Sequence, residues 1–66
     1  MEITINGNTH RINEGENVSS VIERLGLNPH LVAVELNRRI VRRSAFGEQL
    51  VEAGDRIEIV EFVGGG

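Results

Sequence analysis

Arg56-Ile57-Glu58-Ile59-Val60-Glu61-Phe62-Val63-Gly64-Gly65-Gly66 reads as a strand that runs straight into bare glycine. Ile57 and Ile59 alternate with Arg56, Glu58 and Val60, the period-two pattern of a strand with one buried face. Gly54-Asp55, just ahead, is a turn signal that marks where the strand begins. A tail without Cβ atoms is expected to be flexible and thin enough for a narrow channel. Residues 63–66 would reach about 13 Å when extended. Glycines considered alone are most simply a frayed end or a spacer. Their attachment to an apolar strand, with no polar linker between, favours a terminus presented to another protein's active site.

The chain of 66 residues makes a single domain, 1–66, with residues 63–66 as its tail. A domain this small buries only about 60% of its unfolded surface. No apolar run approaches the ~20 residues needed to span a membrane, and Met1-Glu2-Ile3 does not open a signal peptide. Without cysteine there is no disulfide framework, thiolate metal site or cysteine nucleophile, which fits a cytoplasmic protein. A net charge of -3 and the absence of Trp and Tyr argue against nucleic-acid binding. All 7 basic residues are arginine, so an activated carboxyl on this chain would meet one internal amine, the N-terminus. Composition bias accounts for that equally well.

From the N-terminus, Met1, Ile3 and Ile5 alternate with Glu2 and Thr4, and Asn6-Gly7-Asn8 then signals a hairpin. Either two-residue loop within it places His10 and Ile12 on the face of Ile3 and Ile5. The register pairing Ile3 with Ile12 is preferred. His10 reads as a packed structural residue rather than a ligand or acid–base group. Asn17 is a suitable N-cap. Val18, Val21, Ile22 and Leu25 form one helical stripe, closed by Gly26 with Leu27 folding back. A helix of about eight residues does not persist alone, so it must lie on a sheet.

Leu31 to Leu36 is a nearly continuous apolar run and suggests an interior strand. Asn37-Arg38-Arg39 turns it into a short strand from Ile40 to Arg42 or Arg43. Ser44 to Gln49 is irregular, a helical turn being one reading of it, and Leu50-Val51 offers a brief apolar anchor. Arg38, Arg39, Arg42 and Arg43 fall in one hairpin. Such clusters are ordinarily solvated. A partner-facing basic edge and phosphate binding are the alternatives, with nucleic acid weakest because no aromatics are interleaved.

Hairpin, helix, hairpin, strand has few compact solutions. The helix crosses one face of a mixed sheet, and the last strand lies parallel to the first. The expected fold is α+β: a ubiquitin-like β-grasp with a five-stranded sheet of order 2-1-5-3-4 and one main helix. Val60 and Phe62 then lie opposite Ile57 and Ile59, on the open face at the tail's root. They are either a docking surface, with Val63, or covered by flanking side chains.

The run Gly54 to Gly66 resembles the closing segment of ThiS, the sulfur-carrier family of thiazole biosynthesis. The resemblance extends through the Asn6-Gly7 hairpin, the Val18 to Leu25 helix with Gly26-Leu27, the Val32 to Asn37 strand and the total length. It implies that the Gly66 carboxylate is adenylated with ATP by an E1-like (ThiF-type) adenylyltransferase. A sulfur donor, such as a cysteine desulfurase persulfide, then displaces AMP. The resulting thiocarboxylate delivers sulfur to thiazole synthase (ThiG-type). Gly64 and Gly65 would supply the slender approach, and Val60 and Phe62 would help seat the partner. The resemblance implies a protein co-substrate with no bound cofactor or metal and no catalytic residue of its own. The small subunit of molybdopterin synthase shares this logic but is usually longer. A non-covalent β-grasp interaction module with incidental glycines is the reading from another class.

Overall fold

Strand β1 (Glu2–Ile5) and strand β2 (Asn8–Arg11) form an antiparallel hairpin in a computed structural model that describes residues 1–63. The pairing is Ile5 with Asn8 and Ile3 with His10, so the expected Ile3–Ile12 register is corrected. Alternation cannot distinguish the two, because they place the same side chains on each face. Turn chemistry decides: Asn6 (φ 49) and Gly7 (φ 83) both take the left-handed backbone of a two-residue hairpin loop. His10 is half-buried beside the core, and Ile12 is buried.

Helix α1 spans Val18–Arg24. Asn17 caps it by accepting from the Ser20 N–H at 2.8 Å, while Ser20 Oγ accepts from the Asn17 N–H at 2.9 Å. These reciprocal bonds satisfy donors the first turn would leave open. At the other end Gly26 takes φ 71, its N–H donates to Glu23 O, and the Leu27 N–H donates to Ile22 O. That pattern lays Leu27 against the core. Val18, Val21 and Ile22 are buried, and Leu25 is half-buried at the rim.

The loop leading into α1 is pinned by Glu16. Its carboxylate accepts from the Asn13 N–H at 2.8 Å and pairs with the Arg24 guanidinium. The Asn13 N–H is the largest influence holding the Glu16 carboxyl below the ordinary glutamate range. Burial opposes it, and Arg24 and Ser20 assist it. A depressed native pKa contributes stability above the unfolded value and loses it as pH falls through the folded value. Glu16→Gln is therefore expected to lower stability by less than about 1 kcal/mol at pH 7. The deficit should shrink as the pH is lowered through the carboxylate range. Urea midpoints of both proteins across that range check this, and a pH-independent difference would dismiss the charge.

Strand β3 (Val32–Leu36) follows a short 3-10 turn at Pro29–Leu31, and strand β4 (Arg39–Val41) returns antiparallel to it. Leu36 pairs with Arg39, so Asn37 (φ 52) and Arg38 (φ 69) alone form the turn, and Arg39 belongs to the strand. β3 is interior by pairing. Only alternate residues are buried, with Ala33 and Glu35 on the open face.

Strand β5 (Arg56–Glu61) completes a sheet of order β2-β1-β5-β3-β4, parallel to β1 and antiparallel to β3. Ile3, Ile5, Val34, Ile57 and Ile59 face α1 and build one core with it. Phe46 and Val51, from the irregular segment between β4 and β5, close that core at its end. Leu50 remains exposed. Full burial of each such side chain contributes roughly 1.5–3 kcal/mol. A small domain has few of them to lose.

Candidate functional site: the root of the glycine tail

β5 is held from both sides. On the β3 side five pairs run from Leu36–Ile57 to Val32–Glu61, and the Phe62 N–H donates to Leu31 O at 2.7 Å. On the β1 side the ladder is short, with only Thr4–Arg56 and Ile5–Ile57 paired. Asn6 extends it with its side chain. Asn6 Nδ2 donates to Ile59 O at 3.0 Å, and the Ile59 N–H donates to Asn6 Oδ1 at 2.8 Å. The amide thus stands in for a peptide group where β1 has already turned away.

Asn37 plays a similar part at the start of β5. Its Oδ1 accepts from the Arg56 N–H at 2.9 Å and its Nδ2 donates to Asp55 at 3.0 Å. Its backbone N–H donates to Arg56 O at 2.8 Å. The sequence signal for both clasps was present: each asparagine opens a hairpin turn in the left-handed region, where its short amide is favoured. That spacing alone does not say which strand the amide meets.

The helix covers one face of the sheet and leaves the other open. Val60 is 58% exposed there, and Phe62 is 53% exposed where the strand ends. Val63 is almost fully exposed. The open question about Val60 and Phe62 is thereby answered in favour of exposure. Glu35 and Glu58 stand directly opposite each other beside Val60. Gly64, Gly65 and Gly66, the residues expected to enter and react in a partner's active site, lie outside the described residues.

No group of three or more His, Cys, Asp or Glu residues that could hold a metal occurs among the described residues. The arrangement presents a strand end and an apolar patch with the Glu35–Glu58 pair beside it.

Residues 2–66 match the sequence model of the ThiS family. The chain belongs to the ThiS family. Solved structures agree with this assignment. A crystal structure of the thiamine biosynthesis protein ThiS from Geobacter metallireducens superposes with a TM-score of 0.81 at 34% identity, covering 100% of both chains. A solution NMR structure of a thiamine biosynthesis protein from the same organism gives 0.79 at 35% identity, covering 100% of this chain and 88% of that one. Curated relatives of the ThiS-family chain include thiazole synthases from Magnetococcus marinus and Paramagnetospirillum magneticum. Each is 38% identical over 66 residues. The chain spans 20% of the length of each of them. The ThiS-family β-grasp and its sheet order are as the sequence predicts. No helix among the described residues is long and apolar enough to cross a membrane.

Proposed function

We propose that this chain is the sulfur carrier of thiazole formation in thiamine biosynthesis, a co-substrate of partner enzymes acting in the cytoplasm. The Gly66 α-carboxylate, with a reference pKa of about 3.5, is anionic at neutral pH. In the active site of an E1-like adenylyltransferase it attacks the α-phosphate of ATP and pyrophosphate leaves. The carboxylate is a poor acyl donor, whereas the mixed anhydride with AMP is a good one. A sulfur nucleophile then displaces AMP. Where it is the outer sulfur of a cysteine desulfurase persulfide the product is an acyl disulfide, and a thiol reductant must cleave its S–S bond to release the thiocarboxylate. The thiocarboxylate passes to thiazole synthase. Gly64 and Gly65 leave the approach slender, and Val60, Phe62 and Val63 seat the partner.

One observation carries the reading. The central strand of a ThiS-family body is fixed through Phe62 and bordered by exposed apolar side chains, immediately ahead of the glycines. A rigid anchor followed at once by Cβ-free residues lets the body aim a narrow end that has no catalytic equipment of its own. The reading is tested by intact mass after incubation with the adenylating enzyme, ATP and a sulfur source. The expected result is a rise equal to the replacement of one oxygen by sulfur, located at Gly66 by fragmentation. An unchanged mass with an active partner enzyme would reject it.

A further inference from the structure

The hairpin of β3 and β4 carries a charge distribution that the tail chemistry does not use. Residues 37–47 hold four of the arginines and no acidic residue, in a chain whose net charge is -3. Arg43 is occupied structurally: its Nε donates to Pro29 O at 2.8 Å and a terminal nitrogen donates to His30 O at 3.3 Å. Arg38, Arg39 and Arg42 are different. All three are exposed, and none makes an ion pair or a side-chain hydrogen bond among the described residues. Arg38 even sits at φ 69, a turn position where glycine or asparagine would relieve the backbone.

These guanidinium groups surround an apolar, unpaired edge. β4 is the outer strand of the sheet and pairs only with β3. Ile40, in its middle, is 79% exposed, the largest exposure of any isoleucine or leucine in the described chain. Beside it runs an open groove of about 600 Å³ lined by Leu36, Arg39, Ile40, Arg42, Ala45 and Gln49. A free strand edge supplies backbone donors and acceptors, and an exposed isoleucine supplies an apolar contact. Uncompensated arginines select negative charge.

We propose that the β4 edge is a second docking surface, which takes an extended acidic segment of a partner protein. The segment pairs along β4, sets an apolar side chain on Ile40, and directs carboxylates at Arg38, Arg39 and Arg42. A polypeptide fits better than a nucleic acid, because no aromatic side chain lies in the groove on which a base could stack. The surface lies across β3 from β5, at the opposite side of the sheet from the β1–β2 hairpin, and does not depend on the chemistry of Gly66.

The test is an amide NMR titration of the full chain with a blocked peptide of alternating Glu and Val. The same peptide with Lys in place of Glu, and a dT12 oligonucleotide, serve as comparisons. The expected result is a set of shifts centred on Arg39 to Arg42, produced by the Glu peptide alone and weakened by salt. Arg39→Glu combined with Arg42→Glu should lower that affinity about tenfold or more. Both sites are exposed, so the melting profile should be retained; Ile40→Ser, with every charge kept, should also weaken binding. Shifts that avoid β4, equal binding by the Lys peptide, or shifts from dT12 in place of the Glu peptide would each overturn the proposal. Because Gly66 takes no part in the titration, such a failure would leave the sulfur-carrier reading intact.

Discussion

Asn6→Ala is expected to lower folding stability by about 2–4 kcal/mol, a large share of what a domain of this size possesses. Two effects combine. Alanine removes both side-chain bonds to Ile59, at 2.8 and 3.0 Å, leaving the N–H and C=O of a buried residue without those partners. It also places a β-carbon residue without a helpful amide at φ 49. Asn6→Gly should fall between wild type and alanine, since it relieves the backbone but still loses the bonds. Asn6→Asp keeps the acceptor for the Ile59 N–H and sets a carboxylate against the Ile59 carbonyl, so it too should destabilise. Urea unfolding measures the totals, and amide exchange at Ile59 reports the local loss. A cost below about 1 kcal/mol for alanine would mean that β3 alone holds the end of β5.

The second large effect concerns the tail. Deleting Gly66, or appending one residue after it, is expected to reduce adenylate formation to background while the unfolding transition stays unchanged. The reacting carboxylate would then be misplaced by a residue's length, and displacements of ~1 Å already cost about 100-fold. If the tail enters a narrow channel as proposed, Gly65→Trp should be as damaging to turnover, because the indole would not fit, yet it should leave binding to the adenylating enzyme nearly intact. Phe62→Asp should do the reverse and weaken binding by about 1–3 kcal/mol, since the exposed ring is an apolar contact at the root. Pyrophosphate exchange and calorimetric titration separate the two steps. Exchange that persists in the extended chain would exclude Gly66 as the reacting group.

Much of the architecture was legible because period and turn chemistry agreed. The stripe Val18, Val21, Ile22 and the Ile57–Ile59 alternation could bury apolar surface only as a helix on one face of a sheet with β5 inside it. Other features were hidden for physical reasons. The β1–β2 register follows from the left-handed Asn6-Gly7 turn, and alternation could not select it because both registers put the same side chains on each face. Phe46 is buried from an aperiodic segment, where no neighbouring repeat marks which way the ring points. Val60 and Phe62 could be placed on the open face by parity. Whether anything covered them depended on side chains from other strands.

β5, the last of the five strands in chain order among the described residues, lies in the middle of the sheet, between β1 and β3. As the polypeptide leaves the ribosome, the two hairpins emerge with no ladder joining them, and a lone hairpin is marginal in water. They can unite only after β5 has cleared the exit tunnel. A product truncated before that segment lacks the strand that joins the two hairpins and is expected to stay open.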